Sequence, residues 1–226
     1  MAGLYIALSE AYDYALTHYD FNLLFKLDSD ALITAPAPEL EAIRLFNDNP
    51  RIAIAGQYPN HFSGEPWDIG WPRARIINGT QSWRFIRRPL VNMVLRKHHI
   101  KALRNGYRTG ESVFGGAYFM SRTFLEQLKS KGLLPHPTLG KANLGEDHIF
   151  SLLAKSEGFE LAGLSEGTLP FCCEWKQLPA PPEEIIALGK KIVHSTRGFG
   201  DMNEADVRSV FRSTRSKPAP VPRPVL

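Results

Sequence analysis

One short apolar segment, Phe21-Asn22-Leu23-Leu24-Phe25-Lys26-Leu27, sets the strongest constraint on how this chain can fold. A run of this length and apolar content is typical of a strand that is covered on both faces of a sheet. The segment before it, 3–19, carries apolar residues at steps of three and four, which predicts an amphipathic helix. A helix that leads straight into a covered, central strand favours a layered sheet with helices packed over it.

Helix and strand patterns alternate along the rest of the chain. Strands are predicted over 51–55, 112–120 and 159–164, and helices over 38–47, 89–104, 121–131, 145–157 and from about 203 to before 216. Ser121 is expected to cap one helix and Gly158 to follow the end of another. The segment 57–71 is rich in Pro, Gly and aromatic residues and is expected to be an ordered loop. The predicted fold class is therefore α/β, a mixed sheet flanked by helices.

Composition is that of an ordinary globular protein, with 226 residues, 43% of them hydrophobic and 22% charged. We expect one domain over 1–216 and a disordered Pro-rich tail over 217–226. The only cysteines, Cys172 and Cys173, are adjacent, which makes a poor structural crosslink and fits a reducing compartment. Neither a bilayer-spanning run nor a secretory leader is recognisable, so a cytoplasmic location is expected.

Positive charge is concentrated between Ile69 and Gly110, a window that contains no Asp or Glu. Its cations are Arg73, Arg75, Arg84, Arg87, Arg88, Arg96, Lys97, Lys101, Arg104 and Arg108. A block of one sign predicts an anionic partner, and the alternative is a solvated helical face. Interleaved Trp and Arg residues favour peripheral contact with a membrane through 73–108. No nucleic acid is expected, because no motif that reads RNA or DNA accompanies the block.

Two carboxylates, Asp28 and Asp30, follow the apolar strand in Asp28-Ser29-Asp30. Ligands of open α/β sheets bind beyond the carboxyl ends of strands, so a site is expected at this position. Carboxylate oxygens are the ligands that hard divalent cations prefer. The tripeptide therefore predicts a Mg²⁺ or Mn²⁺ site, although a turn or helix cap is the structural alternative.

A second acidic pair, Glu146-Asp147, opens a predicted helix between Gly145 and His148. The helix dipole stabilises carboxylates there, so an ordinary acidic first turn is one interpretation. The other is a general base that takes the proton of an acceptor hydroxyl, for which it must lie within hydrogen-bond reach.

Gly115-Gly116 interrupts a strand-like run, and a late histidine, His194, follows two lysines. Paired glycines in a strand indicate either a plain bulge or the close approach of a ligand. His194 is either structural or a third ligand for a metal bound by Asp28 and Asp30.

Taken in order, these segments resemble the GT-A glycosyltransferases, and among them the inverting family-2-like and fringe-like groups. The residues that carry the resemblance are Phe25-Lys26-Leu27-Asp28-Ser29-Asp30, Gly115-Gly116-Ala117-Tyr118-Phe119-Met120-Ser121-Arg122 and Leu144-Gly145-Glu146-Asp147. The resemblance covers about 3–197 and implies a Rossmann-like sheet. It also implies a metal-dependent transfer of sugar from a nucleotide-sugar donor to a hydroxyl acceptor.

The resemblance further implies a role for each matched residue. Asp30 would be the direct metal ligand, Asp28 would contact the nucleotide, and His194 would complete the metal shell. Asp28, Ser29 and Asp30, with Gly115 and Gly116, would line the donor.

On the acceptor side, the resemblance makes Asp147 the catalytic base, with Glu146 beside it. The acceptor is expected to be a saccharide, a lipid-linked molecule or a protein. Trp175 is a further acceptor-binding candidate because an indole can stack on a sugar ring, and a core tryptophan is the alternative.

Enzymes of this kind begin with strands that recognise the nucleotide, and the first helix of this chain resembles the one that in those enzymes precedes the Asp-X-Asp strand. An N-terminal truncation is therefore expected, and with it a second interpretation, a non-catalytic GT-A-derived binding domain. A nucleotidyltransferase would also use paired aspartates and a metal. It would need a glycine-rich phosphate loop near its start, and none is visible.

Overall fold

The computed structural model describes residues 2–80 and 88–215 and shows a mixed α/β fold. Its helices are α1 (Ala2–His18), α2 (Leu40–Asp48), α3 (Gly70–Thr80), α4 (Pro89–Arg104), α5 (Arg122–Ser130), α6 (Glu146–Ser156), α7 (Pro182–Ala187) and α8 (Glu204–Arg215). Its strands are β1 (Leu23–Leu27), β2 (Leu32–Ile33), β3 (Ile52–Gly56), β4 (Ala117–Ser121), β5 (Glu160–Gly163), β6 (Phe171–Cys173), β7 (Ile192–His194), β8 (Gly198–Phe199) and β9 (Met202–Asn203).

The main sheet has the strand order β1-β4-β3-β5. β4 runs antiparallel to both of its neighbours, and β3 runs parallel to β5. The carboxyl ends of β1, β3 and β5 therefore lie at one edge of the sheet, together with the start of β4. This edge is where an open α/β sheet places its ligands.

Alternation along β4 explains why both faces of this sheet are covered. Tyr118 and Met120 belong to the core beneath the helices, whereas Ala117 and Phe119 belong to the core on the opposite face. Phe119 lies edge-on to Phe171, with 5.8 Å between the ring centroids. Because successive strand residues point to opposite faces, one five-residue strand contributes to two cores.

A second sheet, of order β2-β7-β6, packs against the face of the first sheet that carries Ala117 and Phe119, because Phe171 and Ile192 belong to the same core. Gln57, fully buried after β3, joins the two sheets. Its Oε1 accepts a hydrogen bond from Cys173 N at 3.1 Å, and its Nε2 donates to Asn60 O at 2.7 Å. Cys172 and Cys173 are buried free thiols, and burial raises the pKa of Cys172 to about 12.

Helix ends were the best predicted local features. The Ser121 hydroxyl accepts a hydrogen bond from Phe124 N at 3.3 Å, which confirms the predicted cap of α5. Gly158 follows the end of α6 with a φ of 85°, a left-handed conformation that glycine adopts without a Cβ clash.

The expected central position of the first strand was wrong. Within the described residues β1 lies at an edge of the main sheet, where it pairs with β4. Leu24 packs on the helix side, and Phe25 stacks on Phe119 with 4.3 Å between ring centroids. Apolar residues on both faces show that a strand is covered, and they carry no information about its neighbours.

Other differences come from short or interrupted elements. The strand predicted over 112–120 begins only at Ala117, because Gly115 and Gly116 form a close crossing before it. Helix α3 begins at Gly70, inside the predicted loop, and Pro72 and Gly79 had obscured its pattern. The strands β2, β6 and β7 contain two or three residues each and were not predicted.

Part of the basic block and the tail lie outside the described residues, namely 81–87, with Trp83 and Phe85, and 217–226. Among the described helices, none combines the length and the apolar character that a bilayer crossing requires. α4 carries exposed cations at Arg96 and Arg104 beside the exposed apolar side chain of Met93. Peripheral membrane contact through this helix stays a prediction, as does the domain division.

Phe150 of α6 offers a direct test of the helix-side core. It is fully buried, with ring centroids 5.1 Å from Tyr5 and 5.5 Å from Tyr12 of α1. Phe150→Ala is expected to lower the free energy of unfolding by about 3–5 kcal/mol, because it leaves a cavity between α1 and α6. Urea denaturation followed by circular dichroism measures the change. Ile43→Ala, at a 41% exposed position of α2, is the control and should cost far less.

Candidate functional site

The first predicted site residue, Asp28, lies where β1 meets the start of β4. Its backbone N–H donates to Gly116 O at 3.0 Å, which extends the strand pairing by one step. The glycine pair therefore lies directly opposite the acidic tripeptide. This arrangement follows from the sheet register, in which Leu27 pairs with Ala117.

Asp30 and His194, 164 positions apart, are brought together by the second sheet. β2 pairs with β7 so that Leu32 lies opposite Val193, and the residues just beyond this pair become neighbours. His194 Nε2 lies 3.1 Å from Asp30 Oδ1 and 3.9 Å from Asp28 Oδ2. One imidazole nitrogen thus faces both carboxylates.

The backbone fixes the orientation of the His194 ring. Its Nδ1 lies 2.7 Å from the carbonyl oxygen of Glu174, and a carbonyl can only accept, so Nδ1 carries the proton. In the neutral ring Nε2 then carries no proton, and its lone pair points at the Asp30 carboxylate. Two acceptors at hydrogen-bond distance repel each other unless a proton or a cation lies between them. Such a pairing of a backbone carbonyl with the second nitrogen is typical of metal-binding histidines.

Cations also contact the two carboxylates. The ammonium of Lys26, a buried residue, lies 2.5 Å from Asp28 Oδ1 and also donates to the carbonyl of Gly115. Arg197 Nε lies 2.8 Å from Asp30 Oδ2, and its side chain is largely exposed. Each aspartate is therefore partly neutralised by the chain itself.

Asp30 is held in its ionised form. Burial works against ionisation, but the positive charge that His194 carries when Nε2 also holds a proton, the hydrogen bond from Ser195 and the charge of Arg197 together keep the pKa of Asp30 below its ordinary value. Ser195 Oγ donates to Asp30 Oδ2 at 3.0 Å. A carboxylate that stays ionised and fixed is a suitable ligand for a divalent cation.

The three residues Asp28, Asp30 and His194 fit a divalent metal. Each offers one ligand atom, and these atoms all lie within 4.8 Å of one another. Adjacent ligands of an octahedral Mg²⁺ or Mn²⁺ lie roughly 3 Å apart and opposite ones roughly 4 Å apart, given metal–oxygen distances of about 2.1 Å. The two carboxylate oxygens suit Mn²⁺ and Mg²⁺ alike, whereas the imidazole nitrogen favours Mn²⁺, because Mg²⁺ prefers a shell of oxygen ligands.

The glycine pair is required by packing against these groups. A Cβ at Gly116 would lie 2.6 Å from both His194 Cγ and Phe114 Cε1, and one at Gly115 would lie 3.0 Å from Glu146 Oε1. The predicted bulge is therefore a close approach of backbone to the imidazole on one side and to the acidic pair on the other. A side chain at Gly116 would displace the metal-ligand candidate.

The acidic pair Glu146 and Asp147 opens α6, where the helix dipole favours negative charge. Burial, the charge of Asp147 and the charge of Asp28 raise the pKa of Glu146 to about 7, although Lys26 opposes the shift. The Lys26 ammonium lies 3.7 Å from Glu146 Oε1. Asp147 Oδ1 accepts a hydrogen bond from His148 N at 2.8 Å, which holds this carboxylate at the first turn.

Two adjoining cavities contain almost all of these residues. The larger, of about 670 Å³, is lined by Leu4, Asp28, Asp30, Trp71, Gly115, Gly116, Gly145, Glu146, Asp147, His148, Trp175, Lys176, His194 and Arg197. The smaller, of about 220 Å³, is lined by Trp67, Asp68, Ile69, Trp71, Pro72, Gly110, Ser112, Phe114, Asp147, His148 and Trp175. Asp147, Trp71, His148 and Trp175 line both cavities and so lie where they meet.

The structure brings every predicted site residue except Ser29 to this cleft. Ser29 is exposed and does not line either cavity, and its carbonyl accepts a hydrogen bond from Arg208 at 3.1 Å. Trp175 is 56% exposed, which excludes the alternative of a core tryptophan.

Sequence reasoning missed Lys26, Ser195 and Arg197. The sequence could have indicated Lys26, since it is a lone cation in an apolar strand and shares a strand face with Asp28, two residues further on. No sequence pattern indicates Ser195 or Arg197, because their contact with Asp30 depends on the unpredicted pairing of β2 with β7.

Comparison of the chain with protein-family models, with curated proteins and with solved structures finds no match. The residues and their geometry are therefore the basis of the proposals below.

Stability should depend on pH through Glu146. Its pKa is raised from 4.5 to about 7 on folding, so the folded state holds a proton that the unfolded state has lost. The contribution of Glu146 to stability is therefore favourable at low pH and is lost as pH rises from about 4.5 to about 7. Glu146→Gln, which resembles the protonated form, should match the wild type near pH 4.5. It should exceed the wild type at pH 8 by on the order of 3 kcal/mol.

Urea denaturation of both proteins at pH 4.5, 6 and 8 measures this difference. Glu166→Gln is the control for removal of an exposed carboxyl outside the cleft. A difference between Glu146→Gln and the wild type that stays constant across this range would contradict the assignment of a raised pKa.

Proposed function

We propose that this chain is a metal-dependent glycosyltransferase with a GT-A-like fold, which transfers a sugar from a nucleotide-sugar donor to a hydroxyl acceptor. The observation that carries the proposal is the convergence of three metal-ligand candidates, Asp28, Asp30 and His194, with the glycine pair and Asp147 in one cleft. The quoted motifs alone resemble this class, and their assembly at the carboxyl edge of the sheet supports it.

Asp30 and His194 would hold Mn²⁺ or Mg²⁺ directly, and Asp28 would lie beside the ion toward the nucleotide. The bound ion would supply positive charge that stabilises the nucleoside diphosphate as it leaves. Lys26 is the positioning residue for Asp28, since its ammonium joins that carboxylate to the carbonyl of Gly115 and approaches Glu146. The larger cavity is the space for the donor.

Asp147 is the residue best placed to take the acceptor proton. It lines both cavities, whereas Glu146 lines only the larger one and faces Lys26. A hydroxyl that enters from the smaller cavity, which Asp28, Asp30 and His194 do not line, would reach Asp147. Attack on the anomeric carbon from the face opposite the leaving group would invert its configuration, and the departing diphosphate would leave toward Asp28 and Asp30.

A non-catalytic binding domain is the second candidate, and one observation favours it. Lys26 and Arg197 already contact the two carboxylates at 2.5 and 2.8 Å, so both aspartates are satisfied by the chain's own cations. Such a domain would bind a ligand in the cleft and show no turnover with any nucleotide sugar. The two experiments below separate binding from turnover.

Metal binding should depend on Asp30. Titration of the wild type with Mn²⁺ in a calorimeter is expected to give saturable binding, and Asp30→Asn should weaken it by about tenfold or more through loss of an anionic ligand. Asp48→Asn, at an exposed position of α2, is the matched control and should bind like the wild type. Equal affinities in Asp30→Asn and the wild type would remove the metal site from the proposal.

Turnover should depend on Asp147 while metal binding does not. With Mn²⁺ and a panel of uridine and guanosine diphosphate sugars, release of nucleoside diphosphate by the wild type is expected with at least one donor. Asp147→Asn should lower kcat by about 10²–10⁴-fold, since general base catalysis contributes on this scale. The variant should keep the Mn²⁺ affinity of the wild type. Saturable Mn²⁺ binding without release from any donor would favour the binding domain.

A further inference from the structure

Indole rings form walls of the smaller cavity, the one that adjoins Asp147. Trp71, in the first turn of α3, is 48% exposed, and Trp175, just after β6, is 56% exposed. Exposure of large apolar rings to water is unfavourable, and two such rings that line the same concave space are typical of a binding surface. Both also line the larger cavity, so a ligand between them would lie beside the donor space.

The rings on one side of this cavity are held in place by other aromatic groups. Phe114 lies edge-on to Trp175, with ring centroids 4.7 Å apart, and stacks on Trp67 at 5.2 Å. His61 also lies against Trp67, with 3.7 Å between the ring centroids, and its Nδ1 lies at hydrogen-bond distance, 2.9 Å, from Glu174 Oε1. Because Phe114 also lies edge-on to His194 at 5.2 Å, the aromatic wall is continuous with the metal-ligand group.

Polar groups belong to the same lining. Ser112 and Asp147 line this cavity beside the indoles. A hydroxyl and a carboxylate can form hydrogen bonds with the hydroxyls of a ligand. Asp68 adds a carboxylate whose Oδ1 accepts only from Gly70 N, at 2.7 Å, among the described hydrogen bonds.

This combination favours a sugar ring over the other acceptors considered. A pyranose presents an apolar face of C–H groups to an indole and a rim of hydroxyls to polar side chains. A lipid chain would bring apolar groups against the carboxylates of Asp68 and Asp147, which line the cavity, and would leave them without hydrogen-bond donors. The cavity volume of about 220 Å³ is below the range of about 300–1,000 Å³ for drug-sized ligands, so it suits a single ring.

We infer that the smaller cavity is the acceptor subsite and that the acceptor is a saccharide whose terminal pyranose lies between Trp71 and Trp175. This inference rests on the proposed function for the direction of transfer, and saccharide binding itself does not depend on catalysis. One hydroxyl of the bound ring points toward Asp147, which takes its proton as that oxygen bonds to the anomeric carbon and the nucleoside diphosphate leaves.

Binding of simple sugars tests the subsite without turnover. The probes are methyl α- and β-pyranosides of glucose, galactose, mannose and N-acetylglucosamine, observed by saturation-transfer NMR and by quenching of tryptophan fluorescence. The wild type is expected to bind at least one of them. Trp71→Ala and Trp175→Ala should each weaken that binding by about tenfold or more, because truncated tryptophans dominate such contacts.

Matched variants separate ring stacking from general damage. Trp175→Phe keeps an aromatic face and should retain most of the affinity that Trp175→Ala loses. Tyr19→Ala removes another exposed ring, 61% exposed and outside both cavities, and should bind like the wild type. Circular dichroism confirms that each variant is folded.

The outcomes distinguish the subsite from the proposed function. Binding that is lost in the alanine variants and kept in Trp175→Phe supports the subsite, even if no nucleotide sugar is turned over, and in that case the transferase proposal fails alone. Absence of pyranoside binding to the wild type, or equal binding in both alanine variants, overturns the subsite. Transfer to a lipid or peptide hydroxyl that is unaffected by Trp71→Ala and Trp175→Ala also overturns it.

Discussion

The pairing of β2 with β7 is the interaction on which the candidate site depends. It places His194 beside Asp30, and the Glu174 carbonyl then fixes the imidazole with Nε2 toward both aspartates. Without that pairing, Asp28 and Asp30 would lack the imidazole as a third candidate ligand. A few backbone hydrogen bonds between very short strands therefore decide whether the three candidate ligand atoms meet at this edge of the sheet.

Electrostatic balance in the cleft follows from the same geometry. Four carboxylates, those of Asp28, Asp30, Glu146 and Asp147, line one cavity, and their mutual repulsion is relieved in different ways. Lys26 contacts Asp28 and approaches Glu146, and Glu146 responds to burial and to its neighbours with a pKa of about 7. The pKa of Asp30, by contrast, lies below its ordinary value. Carboxyl groups whose pKa values are shifted in opposite directions within one cleft are typical of functional sites.

Sequence alone was sufficient to predict helices whose apolar residues recur with a regular period and helix ends that have a defined cap. The helix that Ser121 begins and the one that Gly158 follows were predicted because these ends are local properties of the chain. Convergence of the acidic tripeptide, the glycine pair and the acidic pair was predicted from a resemblance. The second sheet could not be predicted, because strands of two or three residues have no periodic signal. The contacts of Ser195 and Arg197 with Asp30 depend on that sheet and so could not be predicted either.

Lys26 and Arg197 differ in how readily they can leave their carboxylates, and under the proposed function this difference would give the two aspartates unequal roles. Lys26 is buried and bound at the same time to the carbonyl of Gly115, so its removal from Asp28 would leave an unpaired charge in the protein. The side chain of Arg197 is 66% exposed and can turn into water at little cost. Under the proposed function, a divalent ion would displace Arg197 from Asp30, and bind there together with His194, more readily than it would displace Lys26 from Asp28. Asp28, still neutralised by Lys26, would then be the carboxylate that faces the nucleotide without repelling its phosphates.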